Sequence, residues 1–133
     1  MSNLQLAKDI YAAFARGDIA AVLARFDSAI ECREAEGNPY QPDGAVWVGP
    51  QAVLEKLFMS LGSDWDGFAV TVGRLHDAGE HVVMEGRYTA RTRPLAGAST
   101  LRCVTSCGFR DDKLSSFQHY LDTAQMQNVM ATR

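Results

Sequence analysis

The chain has 133 residues, 47% of them apolar and 22% charged, with a net charge of -3. That composition is globular, and the length suits a single domain spanning residues 1–133. The slight acidity and the lack of a basic cluster interleaved with aromatics argue against a nucleic-acid partner, and the short, interrupted apolar stretches argue against a membrane span.

Leu6, Ile10, Tyr11 and Phe14 recur at spacings of three and four, which predicts a first helix. Gly17 stops it, and Asp18 is a natural N-cap for a second helix from Ile19 to about Arg25. Ile30 to about Ala35 alternates as a short strand, and the turn residues from Gly37 to Gly44 make a loop. Gly49 and Pro50 suit the start of a third helix, with Val53, Leu54, Leu57, Phe58 and Leu61 as its apolar positions. Four strands follow: Phe68 to Leu75, His81 to Arg93, Ser99 to Phe109, and Leu114 to about Asp122. Turns at Asp77–Glu80, Pro94–Gly97 and Arg110–Lys113 separate them, as in an antiparallel meander. Three N-terminal helices and then strands is an α+β order. The helices are expected to cover one face of a strongly bent, mainly antiparallel sheet, leaving a hollow for a ligand.

The three cysteines, Cys32, Cys103 and Cys107, form no CxxC pair and no zinc spacing. Their odd number, and an N-terminus without a basic start or long apolar run, point to free thiols in the cytoplasm. No GxGxxG, P-loop or HExxH pattern is present, so no cofactor or metal is expected.

Strand alternation selects the candidate site. Ile30, Cys32 and Glu34 share one face, so Glu34 either points into the apolar hollow as a general base or is a solvated edge charge. Gln118, Tyr120 and Asp122 share one face of the last strand, and Phe117, His119 and Leu121 share the other. The polar row suits a pocket wall that orients a ligand, while Asp122 can equally cap the strand end. His119, between Phe117 and Leu121, reads as a packed or interface residue. Tyr40, Trp47, Trp65 and Phe58 are pocket aromatics or ordinary core, with core the better reading for Phe58. On the long strand, Glu85, Arg87, Thr89 and Arg91 form an outward polar row opposite Val82, Met84, Gly86 and Tyr88, and Tyr88 can reach the pocket. Cys103, Thr105 and Cys107 share a face.

Three stretches carry a family resemblance: Ile10 to Leu23 with its central Gly17-Asp18, then Glu34 to Tyr40 with Val48 to Val53, and then Phe117 to Ala124 with its Tyr120-Leu121-Asp122-Thr123-Ala124 ending. In order and spacing these resemble the ketosteroid-isomerase-related, SnoaL-like proteins of the NTF2-like superfamily. The resemblance implies an NTF2-like cone, a homodimer packed through the open face of the sheet, and a small apolar molecule as partner. It places the general base of steroid isomerases at Glu34. Their oxyanion donors fall on Ile10, one residue from Tyr11, and near Thr105. These two departures argue against steroid isomerisation itself. The expected function is a cofactor-independent isomerase, cyclase or hydratase acting on a small apolar carbonyl compound. Glu34 would be its base, with Asp122, Tyr120 and Gln118 orienting the substrate. The alternative is a non-catalytic binder of an apolar metabolite.

Overall fold

The computed structural model describes residues 2–92 and 98–131. The predicted turn at Pro94–Gly97 lies outside the described residues.

Helix α1 (Asn3–Ala15) is capped by the Ser2 side chain and α2 (Ile19–Ala24) by that of Asp18. Each cap oxygen accepts a backbone N–H that the first turn leaves unpaired. Strand β1 (Phe26–Arg33) follows, and the two-residue strand β2 (Trp47–Val48) pairs antiparallel with it. Helix α3 runs over residues 50–64 and opens with Pro50 at its first position. Its middle, Leu54–Phe58, is a π-helical turn that widens the coil between the buried Val53 and Leu61.

The rest of the sheet is β3 (Trp65–Ala78), β4 (His81–Thr92), β5 (Ala98–Arg110) and β6 (Lys113–Leu121). The strand order is β2-β1-β6-β5-β4-β3, antiparallel throughout except for β1 beside β6. Asp111 and Asp112 turn β5 into β6 with φ of 52° and 59°, the left-handed pair a two-residue hairpin requires. Register breaks between Asp66 and Ala69 and between Val72 and Arg74 curl β3 over α1. Gly86 sits opposite the second break, where a Cβ would lie 2.2 Å from the Thr71 carbonyl oxygen. The result is an α+β fold with a curled, unclosed sheet around a core that joins Leu6, Ile30, Val53, Val82 and Met84.

The three expected N-terminal helices are present, and among the described residues a fourth follows the sheet. Helix α4 (Thr123–Ala131) follows β6, and Met126 on it is buried. Among the described residues no helix is long and apolar enough to cross a membrane.

Candidate functional site

The helices and the inner face of the sheet enclose one cavity, with an empty volume of about 1020 Å³ including its open mouth. Its lining is almost wholly apolar, with a small number of polar groups, the usual make-up of a pocket wall. All six phenylalanines line it, with three of the four tyrosines and one of the two tryptophans. Polar groups in this wall are few. They are Glu34, Asn38 and His119, the hydroxyls of Tyr11, Tyr40 and Tyr88, the Trp65 indole and the Cys107 thiol.

Glu34 and His119 meet because β1 and β6 run parallel. Cys32 pairs with Phe117 and Arg33 with Gln118, so the next step sets Glu34 beside His119 on the inner face. The Nδ1–H of His119 donates to Oε2 of Glu34 at 2.6 Å, with the two side chains 9% and 1% exposed. The same oxygen accepts from the Asn38 side-chain amide at 3.4 Å, and Oε1 accepts only the Cys32 thiol at 3.8 Å. With Nδ1 committed to the carboxylate, Nε2 is left to hydrogen-bond with the Tyr88 hydroxyl. Tyr88 reaches β6 from β4 by passing over the small Cys103 and Thr105 side chains of β5. Edge contacts hold the ring, with Phe117 at 4.3 Å and Tyr88 at 5.4 Å between centroids.

The backbone of Glu34 is fixed from the loop after β1. The buried Gln41 accepts the Glu34 N–H at 2.7 Å and donates to the Cys32 carbonyl at 3.2 Å, mimicking a neighbouring strand where the ladder has ended. Tyr40, from the same loop, donates to Asp64 at 2.9 Å and accepts the Trp65 indole N–H at 2.8 Å.

Burial pushes the phenol of Tyr88 well above its ordinary value, and Tyr11, Cys103 and Glu34 nearby add to the effect. Tyr11 is raised in the same way, first by burial and then by Cys107. Both phenols therefore keep their protons at neutral pH and serve as donors. Burial likewise raises Cys103 and Cys107 to about 11, which leaves their thiols unreactive.

Of the residues singled out from the sequence, Glu34, Tyr11, Tyr40, Trp65 and Tyr88 line the cavity. The last strand is turned the other way from the expectation. Phe117, His119 and Leu121 face the cavity, while Tyr120 is 57% exposed and Gln118 donates its amide to backbone carbonyls of Glu34 and His119. The apolar row won the inner face because burying Phe117 and Leu121 outweighs orienting a polar row inward. Asp122 is exposed and accepts the Gln125 N–H at 3.1 Å, which makes it the N-cap of α4 and keeps it outside the cavity wall. Trp47, on β2 beside β1, is buried core and does not line the cavity. Thr105 is wholly buried beneath the wall beside the phenols of Tyr11 and Tyr88, and its hydroxyl lacks a hydrogen bond of ordinary geometry. Phe58 lines the cavity, as do Asn38 and Met126, which sequence reasoning did not single out.

The curled sheet and the cavity beneath it define an NTF2-like fold. An NTF2-like protein from Burkholderia thailandensis superposes with a TM-score of 0.91 at 29% identity, over 98% of each chain. A second NTF2-like protein, of unknown function, from Burkholderia pseudomallei gives 0.86 at 23% identity, again over 98% of each. TerC, co-crystallised with polyporic acid, gives 0.85 at 22% identity, over 97% of this chain and 98% of its own. Residues 7–117 match the SnoaL-like domain, and the chain belongs to that family. No curated protein matches the sequence.

Proposed function

We propose that this protein is a cofactor-independent acid–base enzyme, an isomerase, cyclase or hydratase acting on a small, largely apolar carbonyl compound. The observation that carries the reading is the hydrogen-bonded chain from Tyr88 through His119 to Glu34 in an otherwise largely apolar wall. A proton next to a substrate carbonyl passes to the Tyr88 oxygen as the phenolic proton passes to Nε2 of His119. An enolate is left in the cavity, with an imidazolium paired to the Glu34 carboxylate in the wall. Reversal returns the proton to the same carbon or another one. The raised phenol disfavours a free phenolate, so the two transfers occur together. Ten aromatic side chains supply binding surface for a flat, unsaturated ligand. TerC, similar in fold, was co-crystallised with polyporic acid, which accords with an organic ligand in this cavity.

The test is deuterium exchange from D₂O into the α-carbon of ring ketones such as 2-tetralone and 1-indanone, followed by NMR. The wild type should exchange far faster than Glu34→Gln; equal rates would remove Glu34 from the mechanism. The second reading, a non-catalytic binder, draws on Glu34 being, among the described residues, the one carboxylate in the cavity wall where two were expected. It requires ring ketones to bind without exchange above the buffer rate.

The family resemblance adds a homodimer through the outer face of the sheet, where Tyr120 stands exposed beside Val104. Sedimentation of Tyr120→Glu tests this, since a charge at the centre of such a contact should shift the protein to monomer. Three buried free thiols accord with a reducing, cytoplasmic setting.

A further inference from the structure

The family match ends at Phe117, but the wall of the cavity does not. Past that point β6 gives way to α4, and Met126 of α4 lines the cavity with 4% of its surface exposed. The seat of this helix is built into the loop after β1. Gly37 has φ +82°, and a Cβ there would lie 3.0 Å from the Thr123 hydroxyl, so glycine allows the helix to rest directly on the loop. The Gln127 side-chain amide donates to the Gly37 carbonyl at 2.5 Å. Both attachments are close in sequence to the polar chain: Gly37 lies three residues after Glu34, and Asp122, the cap of α4, three after His119. Asn38, the residue after Gly37, lines the cavity and donates to Oε2 of Glu34, so α4 is anchored to the loop that holds the polar end.

We propose that Met126 is a specificity-determining residue that limits the bulk a ligand carries next to the oxygen facing His119 and Tyr88. This rests on the reading of the cavity as a ligand site with its polar end at Glu34, His119 and Tyr88. A thioether side chain with three rotatable bonds sets a graded limit, so larger ligands are disfavoured without being abolished. Strands β1, β4 and β6 and the loop after β1 supply the polar end, and α4 sets the bulk allowed beside it.

The test uses 2-phenylphenol and 4-phenylphenol, isomers of equal composition that differ in whether the second ring lies beside the hydroxyl or opposite it. Their dissociation constants are measured by calorimetry on wild type, Met126→Ala, Met126→Phe and His119→Gln. Met126→Ala should move the ratio of the two constants roughly tenfold toward the 2-isomer, and Met126→Phe should move it toward the 4-isomer. His119→Gln should weaken both isomers alike. If Met126→Phe, folded by circular dichroism, leaves the ratio unchanged, the assignment of Met126 is overturned while the cavity stands. If the wild type binds neither isomer, or His119→Gln leaves both unaffected, the polar-end reading falls and the proposal falls with it.

Discussion

Nδ1 of His119 and Oε2 of Glu34 lie 2.6 Å apart on adjacent parallel strands, inside a wall that is otherwise largely apolar. A buried, charge-assisted hydrogen bond of this kind replaces water around the carboxylate, so solvent does not make good its loss. Removing one partner is the costly change. His119→Ala leaves the carboxylate with the Asn38 amide and the Cys32 thiol alone, and is expected to destabilise the fold by roughly 3–5 kcal/mol. Glu34→Gln costs less, because its amide oxygen still accepts from Nδ1. The double variant Glu34→Leu with His119→Ala should lose clearly less than the sum of its two single changes. Urea unfolding of the four proteins measures this, and additive losses would show that the two side chains are not coupled.

Alkaline pH should weaken the protein through its buried acids. Cys103 and Cys107 are raised from 9.0 to about 11, and Cys32, Tyr11 and Tyr88 shift in the same direction. Between pH 9 and 11 the unfolded chain releases thiol protons that the folded chain retains. Stability contributed by these groups is thus complete below the unfolded value and falls as pH rises through the folded one. A series of urea midpoints should drop steadily above about pH 9. At pH 8 a thiol reagent such as dithionitrobenzoate should react with the native protein only on the timescale of unfolding. Rapid labelling of a cysteine in the folded state would contradict the burial argued here.

The curl of the sheet gives a third expectation. Gly86 lies on the inner row of β4 where β3 slips its register, and a methyl group there would meet the Thr71 carbonyl oxygen at 2.2 Å and the Met84 sulfur at 3.0 Å. The backbone oxygen has nowhere to move without parting the two strands. Gly86→Ala should cost at least about 2 kcal/mol, a larger loss than an alanine normally causes in a strand. Because Tyr88 lies two residues further along the same row, the change should also weaken phenol binding in whatever fraction remains folded. An unchanged melting temperature would show that the bend is not locked at this point.

Much of this site was legible in the sequence, and the rest was hidden for identifiable reasons. Glu34 could be placed because Ile30 and Cys32 alternate with it, and both are fully buried. Tyr88 could be placed because Val82, Met84 and Gly86 precede it in the same row. On β6 both rows were plausible: Gln118, Tyr120 and Asp122 look like a binding patch, while Phe117 and Leu121 look like core. A one-residue choice of face decides every side chain on a strand. What makes His119 part of the site is the parallel register that sets it beside Glu34, and a pairing between strands so far apart in sequence is not visible in either strand alone. Helix α4 did have a local signature, in the cap at Asp122 and the four-residue spacing of Met126 and Met130. It was masked because the strand before it seemed to end on a functional Asp. The two-residue β2 is too short for any periodicity to reveal.

Asp122 separates the structural role from the chemical one. Its carboxylate is exposed, and its oxygen satisfies the Gln125 N–H in the first turn of α4. Asp122→Asn retains a side-chain acceptor of the same length, so stability, ligand affinity and any deuterium exchange should stay within about twofold of wild type. Asp122→Ala removes the cap and should cost about 1 kcal/mol. That loss should be read out where α4 acts: the preference between 2- and 4-phenylphenol should loosen in the direction of Met126→Ala, while exchange of a small ketone such as cyclohexanone stays near the wild-type rate. A large fall in exchange for Asp122→Asn, comparable to that of Glu34→Gln, would instead mean that Asp122 enters the cavity in solution and takes part in proton transfer. The two variants together thus decide between a cap that shapes the cavity from outside and a second acid within it.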